Sequence, residues 1–211
     1  AFKRLFFEQI LPSEGGYSAY NPTTEDPETL FGITKNAWII YLNRISREEI
    51  IAMTGGEGSG NDIQKHLLAV KDSGTPRARA EVVSSFMRYV NDTLLSKVDH
   101  SPRKDPSSAN FKAPPDAPAW QVKQIEYTHN LAFNVFFEDY IIQFNIDEYP
   151  SFIGPYLADF AMNAGPRRAF EVFKNTLDQS RIPYTNSNSL AVLDNNLIKR
   201  LENLTPIQKQ Q

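Results

Sequence analysis

The sequence predicts a mainly α-helical protein with one small β-hairpin. Three observations carry that prediction. Apolar residues recur at helical spacing along most of the 211 residues. Ser, Asn and Thr caps and helix-starting prolines stand just before the apolar runs. One polar stretch, residues 17–31, reads as a turn-back of the chain, and no alternating β-rich run appears elsewhere.

Phe2, Leu5, Phe6 and Ile10 fall on one face and predict a first helix from Phe2 to about Leu11. A second runs from about Thr34 to Asn43, with Ala37, Trp38, Ile40 and Tyr41 inward. Ser46 followed by Glu49 is a capping box for a short helix to about Met53. The run Gly55-Gly56-Glu57-Gly58-Ser59-Gly60 breaks the chain, after which Asn61 caps a helix to about Lys71. Thr75-Pro76 starts another, to about Val98. From Asp99 to Pro118 there are five prolines and little that packs, so this stretch reads as an exposed loop or linker. Ala119 to Phe144 reads as one long helix, followed by helices at about Phe152–Met162, Pro166–Leu177 and Leu190–Leu204. There are no internal repeats.

At 41% hydrophobic and 12% aromatic the chain has the material for a real core. The absence of cysteine excludes disulfides and thiolate-bound zinc without fixing a compartment. A net charge of −3 and a pI near 5.7 argue against a nucleic-acid binder. No apolar run approaches the roughly 20 residues of a membrane span, so no membrane insertion is expected. Ala1-Phe2-Lys3-Arg4-Leu5 lacks the features of a signal peptide. Ala1 suits either removal of an initiator Met or the edge of a longer polypeptide.

Chemistry concentrates at Glu14-Gly15-Gly16-Tyr17 and Thr29-Leu30-Phe31-Gly32-Ile33-Thr34. A carboxyl at a helix end, beside glycines that let backbone come close to a ligand, is a plausible general acid. The bland reading is a solvated helix-end glutamate. Between Leu5 and Thr34 lie five acidic residues and no Lys or Arg, with Tyr17, Tyr20 and Phe31 nearby. Such surroundings favour the protonated form that an acid catalyst needs. Thr29 can face Glu14 from the far end of the hairpin and position a water, or be an ordinary strand threonine. In the second cluster, Asn163-Ala164-Gly165-Pro166-Arg167-Arg168-Ala169, turn punctuation is a sufficient explanation. The functional reading puts the Asn163 amide in a cleft and an arginine on an anionic substrate. His66, His100 and His129 show no ligand spacing, so neither metal nor cofactor is expected.

The order Glu14-Gly15-Gly16-Tyr17, Pro22, Thr29-x-x-Gly32-Ile33-Thr34, and later Asp159-Phe160-Ala161-x-Asn163-x-Gly165-Pro166-x-Arg168-Ala169, resembles glycoside hydrolase family 108. These are N-acetylmuramidases of bacteria and phages in the lysozyme-like superfamily. The similarity covers roughly residues 2–44 and 124–178. It implies a lysozyme-like catalytic domain, 1–44 and 124–211, interrupted by a helical insertion at 45–123. It also implies cleavage of the β-1,4 bond after N-acetylmuramic acid in peptidoglycan, with Glu14 as the acid and Tyr17, Asn163 and Arg168 on the substrate. The family carries an aspartate and a glycine pair between its Pro and Thr, where this chain has Thr24 and Asp26-Pro27. Direction of the water therefore falls to Asp26, to Glu25, or to Thr29. The alternative is a weak or inactive lysozyme-like component of a virion or secretion machine, which binds cell wall or docks partner subunits, the latter through 45–123. Either way the expected location is a phage particle, or a host cytoplasm before delivery to the wall.

Overall fold

The computed structural model describes residues 1–25, 27–95, 111–185 and 195–204. It is mainly helical, with one three-stranded antiparallel sheet. The chain divides into two units, Phe6–Val135 and a smaller one formed by Ala1–Leu5 with Phe136–Gln211.

The larger unit begins in a π-helical turn, Phe6–Ile10, and a short helix α2, Leu11–Glu14; α1, Phe2–Leu5, belongs to the other unit. The sequence predicts one uninterrupted helix here. Pro12 supplies a reason for the widened turn, because it has no N–H to give to a carbonyl one turn back. Strands β1 (Tyr17–Ser18), β2 (Thr29–Leu30) and β3 (Ile33–Thr34) follow. The Thr34 hydroxyl then accepts from the Ala37 N–H at 3.3 Å and caps α3, Lys35–Arg44. The Ser46–Glu49 capping box opens α4, Arg47–Met53, as its sequence predicts. Asn61 caps α5, Asp62–Asp72, and Thr75 with Pro76 opens α6, Pro76–Tyr89. A second π-helical turn, Val90–Leu94, ends that run. The predicted tail of this helix beyond Leu95, and most of the proline-rich stretch (96–110), lie outside the described residues.

The core of this unit is the packing of α3, α5 and α6 on one another. Trp38 and Phe86 meet edge to face at 5.5 Å, both fully buried, with Leu42, Leu67 and Val83 also buried. Truncating either ring to Ala would cost about 3–5 kcal/mol. Residues 45–95 therefore share a core with residues 6–44. The sequence boundary at 44/45 does not coincide with a boundary between units. Helix α7, Ala119–Phe136, lies in this unit through Val135.

The helical run predicted over Ala119–Phe144 reaches Phe144, but from Phe137, in the smaller unit, it is no longer α-helical. A π-helical turn, Phe137–Ile141, and a 3₁₀ turn, Ile142–Phe144, give way to Asn145 in the left-handed region at φ 52°. Bulky Phe137, Tyr140, Ile141 and Ile142 are middling helix formers, and a left-handed Asn is a common stop. Helix α8, Gly154–Ala164, packs on α9, Pro166–Gln179. Phe170 is buried beside Tyr149 and Phe144. The last helix, α10, spans Asn195–Glu202 and buries Leu197 and Leu201; its predicted start at Leu190 falls outside the described residues. Among the described residues no helix is long and apolar enough to cross a membrane.

Candidate active site

Glu14 is the last residue of α2, and the chain leaves the helix through Gly15 at φ 75°. The Gly15 N–H donates back to Leu11 O at 3.2 Å, closing the helix end. Both Gly15 and Gly16 are buried, and the Gly16 carbonyl accepts from the Phe31 N–H at 2.7 Å. That single bond ties the residues after the acid to the tip of the β2–β3 hairpin.

The tip is a two-residue turn. Leu30 pairs with Ile33, and the residues between them, Phe31 and Gly32, have φ of 57° and 74°. Positive φ at both central positions is what a type I′ hairpin requires. Phe31 adopts it at a cost of about 1–3 kcal/mol. Its ring is fully buried, edge to face with His129 at 5.0 Å, which holds it there. Gly32 is required for a second reason. A Cβ at this position would lie 2.5 Å from Glu14 Cγ and 2.8 Å from Glu14 Oε2. The half-buried acid is therefore laid directly on glycine backbone.

Strand register sorts the remaining side chains. Tyr17 faces Leu30, and Ser18 faces Thr29, which in turn faces Thr34. Partners in register share a face. Ser18, Thr29 and Thr34 form a row of hydroxyls on one side, while buried Leu30 and Ile33 lie on the other with Tyr17. Thr29 is half-buried in the middle strand.

Glu28, two residues before Leu30, is 8% exposed and fully engaged. Its Oε1 accepts from the Tyr17 hydroxyl at 2.9 Å. Its Oε2 accepts from the Ser84 hydroxyl of α6 at 2.7 Å and pairs with Lys35 Nζ of α3 at 3.0 Å. The Glu28 carbonyl also accepts from the Lys35 N–H at 2.8 Å. Burial alone would push the Glu28 carboxyl up. Hydrogen bonds from Ser84, Lys35 and Tyr17, with the lysine charge, outweigh burial and hold it below the usual carboxylate value. Tyr17 is pushed up to about 12, by burial and then by its bond to Glu28 and that carboxylate's charge.

Glu14, Tyr17 and Thr29 thus stand on one small scaffold within the larger unit. Asp26 lies outside the described residues, and Glu25 is exposed in the left-handed region at φ 58°. Asn163 and Arg168 belong to the smaller unit, on either side of Gly165 between α8 and α9. Asn163 is exposed, and its amide donates back to Asp159 O at 2.9 Å and Asp159 Oδ1 at 3.2 Å. Arg168 pairs with Glu171 at 3.6 Å, a carboxylate it shares with Arg167. Among the described residues no cluster of His, Asp or Glu stands ready to hold a metal. His129 donates from Nε2 to Phe111 O at 2.7 Å; burial drives its value down to about 4, so it is a neutral structural imidazole.

Sequence reasoning missed the Glu28 cluster. Its one legible signal is the spacing of Glu28 two residues before Leu30, which puts a carboxylate on the apolar face of a strand. Nothing in the sequence pointed to Ser84, which is 56 residues away. Family models, curated proteins and solved structures give no match to this chain.

Proposed function

We propose that this protein hydrolyses the glycan strand of peptidoglycan as a lysozyme-like N-acetylmuramidase, with Glu14 as general acid. The observation that carries the reading is Glu14 resting on Gly32 at the tip of a type I′ hairpin. A carboxyl held at a helix end against fixed backbone, half-shielded from water, is preorganised to protonate a leaving oxygen. Glu14 gives its proton to the glycosidic oxygen as an oxocarbenium-like transition state develops, and a water directed by Asp26 or Thr29 attacks the anomeric carbon. The attacking water releases its proton to solvent as it bonds, and the spent carboxylate takes one back from solvent, so the step closes. In this reading Tyr17, beside Glu14 in the larger unit, contacts the sugar. No cofactor takes part.

The test sets wild-type protein beside Glu14→Gln on purified sacculi and measures release of reducing ends. Turnover by the wild type with loss in the variant supports the reading; equal release by both removes Glu14 from the mechanism.

One observation favours the second reading, a wall-binding virion or secretion-machinery component without turnover. The polar groups of Glu28, Tyr17, Asn163 and Arg168 are all engaged by the protein itself. Sacculus pull-down with no reducing ends released would select it. Partner subunits would then meet the 45–123 stretch on faces left exposed after α5 and α6 have packed on α3, or at Trp120 near the start of α7, which is 51% exposed.

A further inference from the structure

Buried carboxylates are rare, and one that is satisfied from three different elements fixes the positions of all of them. Glu28 is such a group. Tyr17 reaches it from the strand that follows Glu14-Gly15-Gly16, Lys35 from the first turn of α3, and Ser84 from the middle of α6. Glu28 itself directly precedes Thr29, and the Lys35 N–H grips its carbonyl. One carboxylate therefore joins the two halves of the motif that the sequence shows as separate. A helix from the stretch that reads as an accessory insertion closes the joint. We infer that Glu28, held by Ser84, Lys35 and Tyr17, is a positioning residue that keeps the Phe31-Gly32 tip under the Glu14 carboxyl. Segment 45–95 is on this view part of the catalytic scaffold, not merely a mount.

The inference rests on the muramidase reading, so the experiment separates the two. Ser84→Ala removes one donor, Ser84→Thr restores the hydroxyl, and Glu28→Gln removes the charge while keeping an acceptor. Amide hydrogen exchange on the full chain reports the clamp directly. Phe31 N–H, bonded to Gly16 O, and Lys35 N–H, bonded to Glu28 O, should exchange about tenfold faster in Ser84→Ala and Glu28→Gln. Amides of α5 should keep their wild-type rates in all three variants, which also shows that each one folds. Ser84→Thr should return both probes to wild-type protection.

Turnover on soluble glycan strands supplies the second readout. Loosening the support of the acid should lower kcat about tenfold in Ser84→Ala while KM stays within about twofold, with recovery in Ser84→Thr. Unchanged exchange at Phe31 and Lys35 overturns the clamp whatever the activity. Faster exchange with unchanged kcat in an active protein overturns the positioning role. A wild type that exchanges as expected but releases no glycan ends the muramidase reading and the catalytic role together, and leaves the clamp as scaffold alone.

Discussion

The hairpin at Gly32 and the turn at Gly165 each carry one part of the sequence resemblance, yet they are built in opposite ways. At the hairpin, a buried carboxylate takes three side-chain donors and a glycine touches the candidate acid. At the turn, Asn163 bonds back to its own helix and Arg167 and Arg168 share one exposed glutamate. Nothing lies within 4 Å of where a Gly165 Cβ would sit. A residue type in a motif can be demanded by its neighbours or only by the backbone. Burial and contact separate these cases, and spacing does not.

The largest expected effect breaks the comparison at its chemical end. Glu14→Gln keeps the size and the contact with Gly32 but cannot donate a proton in the same way, so turnover on sacculi should fall by about 10²–10⁴. The thermal midpoint should stay close to wild type, because the side chain is only half-buried. No single change at the 163–168 turn should approach that loss.

Glycine substitution compares the two regions as backbone. Gly32→Ala meets Glu14 at 2.5 Å and is strained at φ 74° as well, so it should cost about 2–4 kcal/mol and take most of the activity with it. Gly165→Ala carries the strain of φ 84° with open space around it, and should cost about 1–2 kcal/mol. Urea melts of both variants measure the difference. Equal costs would mean that Glu14 gives way easily and is not held by Gly32.

These contrasts set how far the sequence could be read. Helix starts were legible because their causes are local. Ser46–Glu49, Asn61 and Thr75-Pro76 each bring their own capping partner within a few residues. The turn-back over residues 17–31 was legible as the pairing of Tyr17–Ser18 with Thr29–Leu30; the third strand and its Phe31-Gly32 turn were not, because Phe31 is held at positive φ by burial against His129. The wide turns at Phe6–Ile10 and Phe137–Ile141 were not, because a helical apolar pattern looks the same through a π turn. Ser84 was invisible: an exposed-looking serine in an amphipathic helix gains its meaning only when α6 packs beside the hairpin. The same holds for residues 45–95, whose membership of the larger unit comes from packing on α3 rather than from any repeat or linker signal.

Acid should act on the larger unit in two stages. His129 titrates near 4 in the fold against an ordinary 6.5, so the unfolded chain binds its proton first. Its contribution is complete above about pH 6.5 and is lost as pH falls towards 4, amounting to about 2–3 kcal/mol for a half-buried group. Glu28 is held below its ordinary 4.5, so its contribution is present above that value and disappears as pH drops through its lowered one. Denaturant melts between pH 7 and 4 should show the first loss in wild type and much less of it in His129→Gln. A loss of the same size in that variant would assign the transition to other groups.

The smallest effects are expected at the second turn. Asn163→Ala and Arg168→Ala remove only exposed bonds, so each should change stability by less than about 0.5 kcal/mol. Turnover on glycan strands should stay within about twofold of wild type in both variants, because each side chain bonds only within its own helix. Neither variant should alter exchange at Phe31. A drop in stability of 2 kcal/mol or more would mean that this turn is anchored in the way the Glu28 joint is. The contrast drawn between the two regions would then fail at the point where it is easiest to measure.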